Sequence, residues 1–353
     1  MTERRPAIGE PGEPSIEVLV GRTLGLDAPL QLAEILPTLS QDLSEIDQRI
    51  QSVLRAQYAQ LTEAASYACS TGGKRVRPLL MAALFRALGH ENTRPVHSLA
   101  AAFQLIHTAS LVHDDVIDHS ELRRGRPSVP RAFGLPAAIV TGDYLFVRAF
   151  ELAADYPREI ILRCGESCAD LVEGEVLQEA SRFDLTSGRE HYFRVVERKT
   201  AAIVSAALAC VAEIGGATPA IVDASAAYGR AVGIAFQLRD DVLDVHGDPD
   251  LLGKPLYADF REGSPTLISL EAYRRLDPAH KSEYERLFAL RRKQHGDLLR
   301  LRTLTDETGA GELVASEATE WAERAVRALD PIPAGPYRTL LERLARGVAA
   351  RPF

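Results

Sequence analysis

The stretch Leu111-Val112-His113-Asp114-Asp115-Val116-Ile117-Asp118 closes one apolar run of the chain, and Phe236-Gln237-Leu238-Arg239-Asp240-Asp241-Val242-Leu243-Asp244 closes another. Both runs are rich in Ala, Leu and Ile and free of Pro for a dozen residues upstream. Only Gly229 and Gly233 interrupt the second, so each is read as a helix. On a helix, residues four apart share a face, which sets Asp114 beside Asp118 and Asp240 beside Asp244 at roughly 5–6 Å. Like charges so placed weaken a helix. A single such motif would read as readily as a solvated helix end, but two copies in matching apolar contexts ask for something that offsets the repulsion. Hard divalent cations with oxygen ligands do so. Mg2+ takes one or two carboxylates and completes its octahedron with water and phosphate oxygens. The paired motifs therefore predict two facing helices that hold metals around a phosphorylated ligand.

Composition agrees with a helical protein. Of the 353 residues, 46% are hydrophobic and 25% charged, with aromatics sparse at 6% and long Ala/Leu/Arg/Glu stretches. The formal charge of −8 argues against nucleic acid as a partner. Positive potential for a phosphate must then come locally, from metals and a few placed Arg and Lys. Cys164 and Cys168 lie four apart without a His or Cys to complete a zinc set, and Cys69 and Cys210 stand alone, so free thiols in a reducing compartment are expected. Residues 1–29 carry charges, Pro and Gly but no apolar core, and read as a flexible tail rather than a signal peptide or anchor. With no apolar run of about 18 residues, a membrane span is not expected. A cytoplasmic protein is, although a lipid product could bring it to a membrane surface.

Residues 30–353 read as one all-α domain, a single large helical bundle around a central cavity. Pro37 is read as the stop of a short helix over 30–36, and Ser40 and Asp42 as caps for a helix reaching about 60. A helix over 61–70 ends at Gly72-Gly73, before the basic loop Lys74-Arg75-Val76-Arg77, and Pro78 starts the next. Pro95 opens the helix with the first Asp motif, and 120–130 is a basic loop without regular structure. Helices follow over 136–154, 157–183, 189–214 and 219–246, the third with Lys199-Thr200 at its middle and the fourth with the second Asp motif. Residues 247–265 read as a Gly/Pro/Asp-rich loop, and weaker helices as 266–276, 278–300, 310–329 and 334–349. No strand pattern stands out. The two Asp motifs are the only internal repeat.

Taken together, Gly72-Gly73-Lys74-Arg75-Val76-Arg77-Pro78, the first Asp motif, Gly142-Asp143-Tyr144-Leu145-Phe146, Lys199-Thr200, the second Asp motif and Leu252-Gly253-Lys254-Pro255 resemble the all-trans polyprenyl diphosphate synthases, of the medium- and long-chain type. The motifs cover about residues 60–270 in the family's order. The resemblance implies a prenyltransferase that condenses isopentenyl diphosphate with an allylic diphosphate in the presence of Mg2+, and a homodimer. It implies that Asp114, Asp118 and Asp240 ligate the metal, with Asp115, Asp241 and Asp244 as further ligands or supports. Arg123, Lys199 and Lys254 would grip the allylic diphosphate. Lys74, Arg77 and Arg124 would form a metal-free pocket for isopentenyl diphosphate, joined by His107, one heptad before Asp114. Thr200 and Gln237 would offer oxygens to the carbocation, and the departing diphosphate would take the proton.

Two departures stand out. Ser264 occupies a position where the family often has Lys, which loosens the diphosphate grip or leaves it to Lys254 and the metals. The first motif also lacks the two-residue insertion of bacterial farnesyl synthases. Ala109 lies about 7.5 Å and Ala102 about 18 Å below Asp114 by helical rise. Family members that stop early place a bulky residue near Ala109, so a product of geranylgeranyl length or longer is expected, with Phe146 and Phe150 as candidate floor. A class I terpene cyclase is the competing enzyme, but it needs no second diphosphate pocket and rarely repeats the Asp motif. A regulatory subunit of a heteromeric synthase would often have lost one Asp motif, and both are intact here.

Overall fold

The computed structural model describes residues 34–70, 75–252 and 255–351. The tail over 1–29, Gly72, Gly73, Lys74, Gly253 and Lys254 lie outside the described residues. In chain order the helices are α1 (Leu36–Val53), α2 (Ala59–Ser70), α3 (Val76–Ala87), α4 (Arg94–Ile117), α5 (Val129–Phe133), α6 (Leu135–Ala153), α7 (Arg158–Ala180) and α8 (Gly188–Val196). A π-helical turn, Glu197–Ala201, joins α8 to α9 (Ala202–Ile214). Then come α10 (Pro219–His246), α11 (Pro249–Leu252), α12 (Ala258–Glu262), α13 (Leu267–Arg275), α14 (Pro278–Phe288), α15 (His295–Asp306), α16 (Ala310–Ala328) and α17 (Pro336–Ala350).

The fold is all-α, as the periodicity predicts. α4 and α10, of 24 and 28 residues, form its centre because their apolar residues run all round rather than along one stripe. Leu99 to Ile106 are buried without exception, and so are Tyr228, Ala231, Val232, Ile234, Ala235 and Leu238. A helix apolar on every side can only sit inside other helices, and α4 packs along α6 while α10 packs along α9 and α16. Both Asp motifs therefore project from the ends of rigid, enclosed rods.

Several boundaries differ from the sequence reading. Pro37 starts a helix rather than stopping one, since proline lacks only an N–H that the first turn leaves unused. Asp42 is no cap. It is buried and accepts from Arg86 (2.7 and 2.8 Å) and Thr93 (2.6 Å), with His97 beside it. Burial alone would raise its pKa, but the His97, Arg86 and Thr93 contacts win and hold it at about 2. The stretch 278–300 is two helices, because a reciprocal cap between Gln294 and Asp297 begins α15. The basic loop holds a tiny hairpin, Leu122–Arg123 against Arg126–Pro127, and the 247–265 loop holds α11 and α12.

The π turn is the departure with most bearing on function. One extra residue per turn exposes backbone groups that a regular helix would bury in its own ladder. Two glycines make room for it. A Cβ on Gly174 of α7 would lie 2.6 Å from the Lys199 nitrogen, and one on Gly233 of α10 2.7 Å from the Ala201 Cα. The turn is thus clamped between α7 and α10 at van der Waals distance from both.

Candidate active site

The clamp sets two consecutive residues to work on opposite sides. Lys199 reaches α4 and α7, with its Nζ 3.9 Å from Asp114 and in an ion pair with Glu175. Thr200 reaches α10, its hydroxyl donating to the Gln237 amide oxygen at 3.1 Å, one residue-triplet before Asp240. The ends of the two Asp helices therefore meet across the π turn. Glu262, at the end of α12, lies within electrostatic reach of Asp118 from one motif and Asp244 from the other.

The six motif carboxylates have different surroundings. Asp114 is pushed up to about 6 by burial and by Glu175 and Asp118, against Lys199 and Arg123. Asp118 pairs with Arg182 at 2.5 Å, and Asp240 with Arg351 at 2.5 Å. Asp115 is buried and held by Arg123 through Nε (2.8 Å) and Nη2 (2.5 Å). Asp241 is buried, accepting from Tyr192 at 2.5 Å and from Gln237 at 3.0 Å. Burial outweighs these two donors and raises its pKa to about 7. Asp244 accepts from the backbone N–H of Ala258 and Asp259, both at 3.1 Å, and so pins the start of α12. Asp115, Asp241 and Asp244 are thus committed to protein donors.

Glu262 is raised to about 7 by burial and by Asp118 and Asp244, against Arg182 and Lys199. Burial raises Asp114 and Glu262 first and the neighbouring carboxylates add to it, so several carboxylates share one partly buried site, which is the donor chemistry that fits a hard cation. Among the described residues no three His, Cys, Asp or Glu side chains converge as a ready-made cage.

On the other side of Asp115 the charge is reversed. Arg77 and Arg124 have no carboxylate within ion-pair distance among the described residues, and the Arg77 Nε is cut off from solvent without a partner. Burial and Arg124 lower Arg77 to about 10; burial, Arg123 and Arg75 lower Arg124. His107 is held well below its usual range by burial and then by Arg77, Arg124, Arg123 and Arg75, so it is neutral. Arg124 sits at φ 54°, Arg75 at φ 43°. Arg75 itself is tied to Asp47 at 2.9 Å and to the Cys69 carbonyl at 3.1 Å. Neighbouring guanidinium groups that lower one another's pKa repel, and an anion between them would relieve that repulsion.

Family membership follows from comparison. A family profile described as polyprenyl synthetase matches residues 58–303, well over half of the chain. The chain belongs to the polyprenyl synthetase family. This polyprenyl synthetase is 34% identical to the octaprenyl diphosphate synthase of Escherichia coli (strain K12) over 318 residues, 90% of this chain and 98% of the relative. It is 31% identical to the geranylgeranyl diphosphate synthase of Methanosarcina mazei, across 92% and 100% of the two chains. Its fold superposes on a polyprenyl synthase from Caulobacter crescentus CB15, solved with calcium and isoprenyl diphosphate, with a TM-score of 0.87 at 33% identity, covering 93% of this chain and 100% of the other. It is a prenyltransferase, a polyprenyl diphosphate synthase.

Of the residues expected from the sequence, the fold brings Asp114, Asp118, Asp240, Lys199, Thr200, Gln237, Arg77, Arg124 and His107 to one end of the bundle. Lys74 and Lys254 lie outside the described residues. Arg123, expected at the allylic diphosphate, is engaged by Asp115 in this structure. Ser264 is buried, its hydroxyl without a partner among the described residues, and lines a cavity of ≈ 140 Å3 with Lys199, Thr200, Gln237 and Asp241. Ala102 and Ala109 are both fully buried. Phe146 packs against His113 with ring centres 6.0 Å apart, level with the Asp motif rather than below it. Phe150 is 36% exposed on the outer side of α6, where it cannot floor a tunnel within one chain. Glu175, Arg182, Glu262 and Arg351 are additions from the fold.

Proposed function

We propose that the synthetase binds isopentenyl diphosphate on the cationic side, at Arg77, Arg124, His107 and Lys74, and the allylic diphosphate on the acidic side, between Asp114, Asp118 and Asp240. The segregation of charge carries this reading: Arg77 and Arg124, with no carboxylate in ion-pair distance among the described residues, on one side of Asp115, and carboxylates with raised pKa on the other. Mg2+ bound by Asp114, Asp118 and Asp240 would neutralise the charge that builds on the leaving diphosphate. Lys199 and Lys254 flank that diphosphate, and Arg123 turns to it from Asp115. When the allylic C–O bond breaks, the hydroxyl of Thr200 and the amide of Gln237 face the positive charge with their oxygens. The isopentenyl π pair forms the new C–C bond, and the proton it releases goes to the departed diphosphate. The cationic pocket keeps the second diphosphate away from the metal and so intact.

The tail extends below the Asp motif past Ala109 and Ala102 on α4, giving a product of geranylgeranyl length or longer. The purified chain alone, supplied with both diphosphates and Mg2+, is expected to turn over, which a regulatory subunit would not do. Ala109→Tyr is expected to shorten the product by one or more isoprene units at nearly unchanged turnover of the first condensation. Mass spectrometry of the dephosphorylated prenols reads this, and an unchanged length removes Ala109 from the tunnel.

The exposed apolar side chains Leu135, Ile139, Val140, Val147 and Phe150 of α6, continued by Val172 and Val176 of α7, fit a second copy of the chain. A homodimer is expected in sedimentation at micromolar concentration, and a single 38.5 kDa species would rule it out. The four free cysteines suit a reducing compartment, so we place the reaction in the cytoplasm, with the lipid product leaving toward a membrane surface. Cell fractionation that found the chain secreted would reverse this. Among the described residues no helix is long and apolar enough to cross a membrane.

A further inference from the structure

An amide side chain does not know which way to point: its oxygen and nitrogen have nearly the same shape, and only its partners tell them apart. For Gln237 that choice decides whether an electron-rich or an electron-poor end is presented toward Thr200 and the cavity. Its Nε2 donates to the Asp241 Oδ1 at 3.0 Å, and its Oε1 accepts from Thr200 at 3.1 Å. A carboxylate can only accept, so Asp241 selects the nitrogen and leaves the oxygen for the cavity side.

Asp241 is itself held from behind. Its Oδ2 accepts from the phenol of Tyr192, at 2.5 Å, and both side chains are buried, Asp241 at 2% and Tyr192 at 6% exposure. Tyr192 stands on α8, seven residues before Lys199, and lines the same cavity as Asp241, to which its hydroxyl donates, while making no hydrogen bond or ion pair to Asp114, Asp118, Asp240 or the cationic pocket among the described residues. With one oxygen taken by the phenol, the carboxylate plane is fixed and the other oxygen meets the amide. Without the phenol, the carboxylate would keep one donor for two buried oxygens and would be free to turn and take the amide with it.

We propose that Tyr192 is a positioning residue for the condensation: through Asp241 it fixes the orientation of the Gln237 amide, so that oxygen and not nitrogen faces the developing cation. The inference rests on the role given above to Gln237. A purely structural role, pinning α8 to α10, would use the same hydrogen bond, and a double-mutant cycle separates the two.

Tyr192→Phe, Gln237→Ala and the double variant are purified, and kcat, the KM of each diphosphate and Tm are measured. Tyr192→Phe is expected to lower kcat about tenfold, the lower end of what loss of an outer partner costs, with both KM values within about twofold of the parent. In the Gln237→Ala background the same change is expected to lower kcat by less than about twofold. Equal loss in both backgrounds, or a loss confined to KM, overturns the relay while leaving the Gln237 assignment standing. A Gln237→Ala variant with parental kcat would overturn both the assignment and the relay built on it. Should Tyr192→Phe fail to fold, Asp241→Asn takes its place in the cycle, with the same non-additivity expected and the same additivity fatal.

Discussion

Asp114→Asn is expected to lower kcat by about three orders of magnitude while leaving isopentenyl diphosphate binding intact. The substitution keeps the shape of the side chain and removes its charge. Asp114 is the motif residue closest to Lys199, and burial together with Glu175 and Asp118 already pushes its pKa up to about 6. A cation beside this buried carboxylate would favour its charged form, and on the reading proposed above that cation is the metal at the allylic diphosphate. Lewis-acid stabilisation of a leaving group is worth several kcal/mol, and a thousandfold is about 4 kcal/mol. On the reading proposed above isopentenyl diphosphate occupies the opposite, cationic side, so its dissociation constant, read by calorimetry on the variant, should stay within about threefold. Turnover within tenfold of the parent would remove Asp114 from the metal set.

Arg77→Met is expected to act in two opposite directions. The KM for isopentenyl diphosphate should rise about a hundredfold, since charge-assisted hydrogen bonds contribute about 1.5–3 kcal/mol each. Slow hydrolysis of the allylic diphosphate alone should be unchanged, because the proposed place of ionisation is on the other side. The Tm should at the same time rise by a few degrees. Arg77 is half-buried, its Nε cut off from solvent, with no carboxylate partner among the described residues; burial and Arg124 lower it to about 10, and an apolar chain of similar length relieves that cost. A lower Tm with an unchanged KM would mean that Arg77 serves packing instead.

How far the sequence alone leads depends on the kind of signal each residue gives. Asp114, Asp118 and Asp240 were legible because their spacing is itself the signal: carboxylates four apart on an apolar helix have few stable uses. Lys199 and Thr200 were legible only through family likeness, and their π geometry not at all, since it arises from room left by Gly174 and Gly233 on two other helices. Glu175, Arg182 and Glu262 carry no local pattern. They matter because the fold sets them against Lys199, Asp118 and Asp244, from segments tens of residues away. Phe150 shows the converse failure: its spacing from Phe146 suggested a shared inner face, and the fold turns it outward. Pro37 was misread because a proline that stops one helix and a proline that starts another look the same in one dimension.

The clamped π turn also bears on what lengths of chain the fold can accept. Each residue of a regular helix advances the next by about 100°. Deleting one residue between Glu197 and Ala201 would mend the ladder, yet swing everything upstream by that angle, carrying Tyr192 off Asp241 and α8 off its seat. In this stretch the number of residues is constrained as tightly as their kind. Indels that a surface loop would absorb are here a change of phase between two halves of one rod.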